Sequence, residues 1–156
     1  MATPKTIIYT GEYRHNRDAK GRLTIPSKWR SSGIEEEEYI ALPNTAEGCI
    51  TVYPPRRAAK FLERMDQIGL ANEEEQRALM ELSAMAQSFS FDSQGRISLD
   101  DKLLKFAGIE GKEAVLLGNF STFSIWSKDK YEETMSNDVA AQSAKLSTSL
   151  PKLGGI

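Results

Sequence analysis

The sequence Asp18-Ala19-Lys20-Gly21-Arg22-Leu23-Thr24-Ile25-Pro26-Ser27-Lys28-Trp29-Arg30 is matched 74 residues later by Asp92-Ser93-Gln94-Gly95-Arg96-Ile97-Ser98-Leu99-Asp100-Asp101-Lys102-Leu103-Leu104. In both copies Asp stands three residues before Gly-Arg, and an apolar, a hydroxyl and an apolar residue follow the arginine. An internal repeat indicates that one structural unit is used twice. The sequence therefore predicts two pseudo-symmetric halves, each with the same Gly-Arg turn at its front.

The segments that follow the two turns also correspond. Each half continues with two short runs of β-branched and aromatic residues around a turn that contains Asn with Pro or Gly, which is typical of a hairpin. The runs are residues 39–42, 49–53, 114–117 and 122–126. Helices are predicted to begin at Pro54-Pro55 and at Ser127, since proline suits the first helical turn and serine can cap backbone amides. The fold class is therefore α+β.

The middle of the chain is predicted to be helical. Phe61, Met65 and Ile68 recur at helical spacing, and Asn72 before three glutamates resembles a helix N-cap. These amphipathic helices serve as packing surface, within the chain or against neighbouring subunits. The last residues, from 136 on, lack aromatic side chains, and we expect them to form a flexible tail.

Composition limits the cellular context. The chain has 156 residues, of which 40% are hydrophobic, so it can build the core of one domain or of two small packed halves. Its single cysteine, Cys49, excludes an internal disulfide, fits a reducing compartment and lies in a strand run where we expect it to be buried. No segment approaches the ~20 apolar residues of a membrane span. We expect a cytoplasmic protein with no membrane contact.

The charge is unevenly distributed, although the net charge is only −2. Between Gly11 and Arg30 there are six basic residues and two acidic ones. Electrostatic attraction acts locally, so a chain with a negative net charge can still bind phosphate through a basic surface. Composition alone is equally compatible with a surface that binds phosphate and with a basic surface that only contacts water.

No pattern for catalysis, metal binding or a small-molecule ligand is found. The chain has one histidine and one cysteine, and it has no CxxC, HExxH or glycine-rich phosphate loop. Asp18 and Asp92 each precede a turn, where an aspartate ordinarily accepts hydrogen bonds from backbone amides. We therefore expect no enzyme activity, no metal and no cofactor, and we assign Asp18, Asp92 and Gly95 to the structure of the turns.

The repeated turn is instead suited to recognition. Gly21 and Gly95 allow the positive φ that a sharp turn requires. The arginine that follows can donate two hydrogen bonds to guanine or to phosphate. A two-stranded ribbon fits the major groove of DNA, so a β-turn that carries arginine is a credible base reader.

Several stretches together resemble the MraZ family of bacterial transcriptional regulators, whose halves have the swapped-hairpin fold of AbrB-like DNA-binding proteins. They are residues 9–30, Asp92-Ser93-Gln94-Gly95-Arg96, Phe106-Ala107-Gly108-Ile109, Leu117-Gly118-Asn119-Phe120 and Ile125-Trp126. The resemblance implies two AbrB-like swapped-hairpin β-barrel halves with peripheral helices. On this basis residues 7–53 form the first repeat, 54–88 a helical connection, 89–135 the second repeat with its helix, and 136–156 the tail.

The resemblance also implies a function. The family binds double-stranded DNA at short direct repeats upstream of its own gene, in a division and cell-wall gene cluster, as a ring-shaped homo-oligomer. A nucleoid-associated protein is therefore expected. The DNA-binding residues expected in the turns are Lys20, Gly21, Arg22, Gln94 and Arg96. Arg14, Lys28 and Arg30 are expected to contact phosphate and to position the turns.

The two repeats differ in ways that bear on this role. Asp100-Asp101 stands where the family usually has prolines, Leu104 where it has arginine, and Arg17 where an apolar residue is common. Because the extra acids would repel phosphate, we expect the first turn to read DNA and the second to be mainly structural or a weaker contact.

Two alternatives remain open. One is an AbrB-like antitoxin whose tail binds a protein partner, and the other is an oligomeric interaction scaffold that needs no DNA. The tail is poor in apolar residues, which disfavours the antitoxin. Dependence of binding on salt and on DNA sequence separates the scaffold from a regulator.

Overall fold

Both halves contain the strands that the repeat predicts. The computed structural model describes residues 6–30, 37–68, 72–135 and 138–154. The first half contributes β1 (Glu12–Asn16), β2 (Arg22–Thr24), β3 (Tyr39–Asn44) and β4 (Cys49–Tyr53). The second half contributes β5 (Gln87–Phe89), β6 (Arg96–Ser98), β7 (Glu113–Gly118) and β8 (Phe123–Trp126). The four strands expected in the two hairpins are therefore confirmed.

The two halves exchange their first strands. The main sheet is antiparallel, with the strand order β1-β7-β8-β4-β3-β5. β1 of the first half pairs with β7 of the second, and β5 of the second half pairs with β3 of the first. β4 and β8 join the two hairpins at the centre of the sheet. This arrangement confirms an α+β fold made of two pseudo-symmetric, interleaved halves.

A second, two-stranded ribbon forms where the halves meet. β2 pairs with β6, and its central pair is Leu23 opposite Ile97. Both side chains are buried, at 1% and 2% exposure, and belong to the main core. The alternation of apolar and hydroxyl residues after each turn is thus explained, since the apolar residues pack inward and the ribbon holds the two turns on a common support.

A group of aromatic side chains lies in the same core as the ribbon. Trp29 ends a short 3-10 helix (Ser27–Trp29) and is fully buried. Its ring lies 5.2 Å from that of Tyr13, 5.1 Å from that of Phe123 and 5.7 Å from that of Tyr9. The segment after the first turn is therefore anchored to the main sheet by aromatic packing.

The predicted helix starts are confirmed. The helices are α1 (Pro55–Asp66), α2 (Glu73–Met85) and α4 (Lys128–Thr134). Pro55 is the first residue of α1, Asn72 Oδ1 accepts from the Glu75 amide at 3.0 Å, and Ser127 Oγ accepts from the Lys130 amide at 3.2 Å. The caps satisfy amides that have no partner within the helix.

Two further helices were not predicted. α3 (Asp101–Ala107) buries Leu103 and Leu104, and Asp101 lies in its first turn. α5 (Val139–Ser149) is capped by Asp138, whose side chain accepts from the Ala140 amide, and a 3-10 turn (Leu150–Leu153) follows it. No residue of α5 is buried. The flexibility expected for 136–156 stays a prediction, and residues 136, 137, 155 and 156 lie outside the described residues.

Candidate nucleic-acid interface

The first Gly-Arg turn is held by its aspartate. Asp18 Oδ1 accepts from the backbone amides of Lys20 at 3.0 Å and Arg22 at 2.8 Å, and Oδ2 accepts from Arg22 Nε at 2.7 Å. The Gly21 amide donates to the carbonyl of Asp18 at 2.9 Å. Gly21 has a φ of +77°, a conformation that favours glycine. One carboxylate therefore fixes both the backbone of the turn and the first part of the arginine side chain.

The second turn repeats this geometry bond for bond. Asp92 Oδ1 accepts from the amides of Gln94 and Arg96, both at 2.9 Å, and Oδ2 accepts from Arg96 Nε at 2.8 Å. The Gly95 amide donates to the carbonyl of Asp92 at 3.0 Å, and its φ is +75°. The structural role assigned to Asp18, Asp92 and Gly95 agrees with these contacts.

These hydrogen bonds also set the ionisation of the two aspartates. The backbone amide of Arg22 is the main reason why the pKa of Asp18 is lowered, and the side chain of Arg22 adds to it. The pKa of Asp92 is lowered in the same way by Arg96. Both carboxylates therefore stay charged to a lower pH than a free aspartate does.

The structure places the two turns side by side. The ribbon pairs Arg22 with Ser98 and Arg96 with Thr24. Arg96 Nη1 lies 3.8 Å from Asp18 Oδ2, so an ion pair joins the second turn to the first. The fold therefore brings residues 18–22 and 92–96 together into one composite surface, here called the paired-turn surface.

The arginines of the turns do not extend freely from the scaffold. Their side chains are only 29% exposed for Arg22 and 22% exposed for Arg96, because each is bound to its aspartate through Nε. Among the described residues, the Nη atoms of Arg22 make no hydrogen bond. Lys20 and Gln94, at the tips, are exposed. The surface thus offers two partly fixed guanidinium groups flanked by two exposed polar side chains.

The three residues expected to contact phosphate have different surroundings. Arg14 is on β1 and its guanidinium bonds to Glu12 and Glu132, both at 3.2 Å, close to the ring of Tyr131. Lys28 is exposed on the 3-10 helix. Arg30 is half-buried and donates from Nη1 to the carbonyl of Gln94 at 3.3 Å. The bond from Arg30 therefore brings this residue into contact with the second turn.

The contact of Arg30 with the second turn was not anticipated. Its side chain lies on Gly95, where a Cβ atom would overlap its guanidinium. The sequence did hold a signal, since the position that matches Arg30 in the second repeat is Leu104. A charged residue matched by an apolar one across a repeat indicates that the two copies make different contacts.

Other features of the described residues serve structure. Cys49 is buried, as predicted, and burial raises the pKa of its thiol to about 11. Phe61, Met65 and Leu79 help to line an apolar groove of about 380 Å³ between α1, α2 and the edge of the sheet.

Within the described residues, no cluster of three or more His, Cys, Asp or Glu could hold a metal ion. In the same part of the chain, no helix is long and apolar enough to cross a membrane.

Comparison with known proteins agrees with the twofold construction. The chain matches the family model described as "MraZ protein, putative antitoxin-like" twice, over residues 8–81 and 82–151. It is 36% identical over 126 residues to a protein of Lactobacillus delbrueckii subsp. bulgaricus named "Transcriptional regulator MraZ", which covers 81% of this chain and 85% of that protein. A protein of the same name from Clostridium tetani is 30% identical over 147 residues, covering 94% of this chain and 99% of the relative.

Proposed function

Because the chain belongs to the MraZ family, we propose that it is a sequence-specific DNA-binding transcriptional regulator without catalytic activity. It acts at the nucleoid in the cytoplasm, on short direct repeats upstream of its own gene in the division and cell-wall cluster. The observation that carries the proposal is the paired-turn surface, in which two identically built Gly-Arg turns lie next to each other.

The geometry supports base reading by the arginines. A guanidinium whose Nε is held by an aspartate keeps its Nη atoms as donors, and a guanine presents O6 and N7 as paired acceptors in the major groove. Holding Nε also restricts the side chain before DNA arrives, which lowers the entropy lost on binding. Lys20 and Gln94 are exposed beside them and can add contacts to a base edge or a phosphate.

The number of contacts from one subunit is small, and this supports assembly. Two turns with two or three polar side chains each bind weakly by themselves. Linking several copies raises the apparent affinity by roughly 10²–10⁴ without any new contact. A ring-shaped homo-oligomer would present successive paired-turn surfaces to direct repeats that are spaced by about one helical turn of DNA, ~10 bp.

The test is fluorescence anisotropy on the DNA upstream of the gene and on shuffled DNA, at two salt concentrations. Arg22→Ala is compared with Arg77→Ala, which removes an equal charge from the exposed surface of α2, where Arg77 pairs only with Glu81 among the described contacts. We expect Arg22→Ala to lose about 1–3 kcal/mol per engaged base pair and Arg77→Ala to bind like wild type. Tight, selective binding by Arg22→Ala would refute the assignment.

Although the tail is poor in apolar residues, one observation on α5 bears on the antitoxin-like alternative. Val139 and Leu146 are seven residues apart on α5 and are 73% and 53% exposed. An antitoxin-like role would use this apolar stripe to bind another protein. A Val139→Asp/Leu146→Asp double variant tests it by sedimentation: a smaller assembly assigns the stripe to self-association, and an unchanged mass with intact DNA binding leaves it for a different protein.

A further inference from the structure

Arg30 belongs to the first half of the chain but acts on the turn of the second. Its Nη1 donates to the Gln94 carbonyl at 3.3 Å. Its Cδ lies 2.6 Å from the place where a Cβ of residue 95 would stand, and Gly95 is buried beneath it. The contact therefore needs glycine at position 95 for space as well as for conformation.

Within the part of the chain that the structure describes, the first turn has no matching contact. The residue equivalent to Arg30 is Leu104, which is 8% exposed and packs in the core. Beside Gly21 the nearest atom to an added Cβ would be Arg17 Nη1, at 3.5 Å. Arg17 is itself bound to the carbonyl of Gly111, by Nε at 3.1 Å and Nη2 at 2.6 Å. The two turns thus share their internal geometry and differ in what covers them.

The environment of Arg30 is unusual for a residue that contacts phosphate. Its Nε is buried and has no hydrogen-bond partner among the described residues. Buried polar atoms without partners are rare in proteins. The buried Nε and the bonded Nη1 of Arg30 are both turned to the protein, whereas a phosphate contact requires donors that face the solvent.

We propose that Arg30 is a positioning residue that clamps the second turn, so that Gln94 and Arg96 meet DNA in a fixed conformation. Among the described residues the first turn lacks such a clamp, and it is held by Asp18 and by the ion pair with Arg96. This inference rests on the proposed function for its consequence at DNA. The clamp itself is a property of the free protein and is tested without DNA.

The clamp is tested first by amide hydrogen exchange on the free full-length chain. Arg30→Met keeps the length of the side chain and removes the guanidinium, and Arg30→Lys keeps the charge without the planar group; Arg77→Met is the control. We expect faster exchange at residues 92–96 in both Arg30 variants and unchanged exchange at residues 18–22. Unchanged exchange at 92–96, or an equal rise in both turns, overturns the clamp.

The second measurement is DNA affinity as a function of salt, with the same variants and the upstream DNA. If Arg30 is a clamp, Arg30→Lys should not restore the affinity for DNA. Both Arg30 variants should bind DNA roughly 2- to 10-fold more weakly than wild type, as expected when a preorganised group becomes mobile. The dependence of their affinity on salt should have the wild-type slope. Rescue by Lys, with a slope lower by about 1 for Met, identifies a phosphate contact and overturns the proposal. If wild type does not prefer this DNA to shuffled DNA, the proposed function fails while the exchange result still decides the clamp.

Discussion

Alanine substitutions at Gly21 and Gly95 should differ in cost although the two turns have the same backbone. Both glycines have a left-handed φ, and a residue with a Cβ loses about 1–2 kcal/mol in that conformation. At Gly95 the new methyl group also displaces the guanidinium end of Arg30, and losing the hydrogen bond from Arg30 to Gln94 costs about 0.5–1.5 kcal/mol. We therefore expect a loss of roughly 1–2 kcal/mol for Gly21→Ala and roughly 1.5–3.5 kcal/mol for Gly95→Ala.

Urea unfolding at a fixed protein concentration measures these losses. Gly108→Ala gives the bare conformational cost, because Gly108 has a φ of +71° and an added Cβ would have nothing within 4 Å. In an Arg30→Ala background the cost of Gly95→Ala should fall to that of Gly108→Ala. Equal costs for Gly21→Ala and Gly95→Ala, or an excess at Gly95 that survives Arg30→Ala, would refute the steric reasoning.

Three further outcomes are expected. The hydrogen bonds of the turns lower the pKa values of Asp18 and Asp92. The stabilisation of the folded protein by these two carboxylates is therefore present above the ordinary aspartate pKa of about 3.9 and is lost as the pH falls through their lowered values in the folded protein. The Asp18→Asn/Asp92→Asn double variant should accordingly show a smaller fall of its urea midpoint on acidification than the wild type. Cys49, whose thiol pKa is raised to about 11 by burial, should react with a thiol reagent at mildly alkaline pH only after denaturant is added. Trp29→Ala should cost about 3–5 kcal/mol in urea unfolding, since the side chain is fully buried, and a loss below about 1 kcal/mol would contradict its central place in the core.

The local features of the fold could be predicted because local chemistry determines them. The aspartate three residues before each Gly-Arg pair indicated the turn, and Pro55 and Ser127 marked helix starts through capping. α3 was missed because its acidic start, Asp100-Asp101, was interpreted as a repulsion of phosphate and not as the beginning of a helix. There the acid lies in the first turn of a helix, where the helix dipole favours it.

The sequence predicted which residues form the two turns of the candidate site, but not how the two turns lie relative to each other. Each turn was visible in the sequence, whereas their contact through Arg96 and Asp18 depends on the pairing of β2 with β6. The attachment of Arg30 to Gln94 likewise joins residues 64 positions apart. Such contacts arise from the exchange of strands between the halves, which no local pattern encodes.

The exchanged first strand has a consequence for the synthesis of the protein. Glu12 of β1 is paired with Leu117 of β7, so β1 cannot find its partner until about 105 more residues have been made. A ribosome that adds about 5–20 residues per second needs roughly 5–20 s for this. During that interval β1 is on the nascent chain without its partner β7, and a polypeptide cut after the first repeat would lack both β7 and β8, with which β1 and β4 pair.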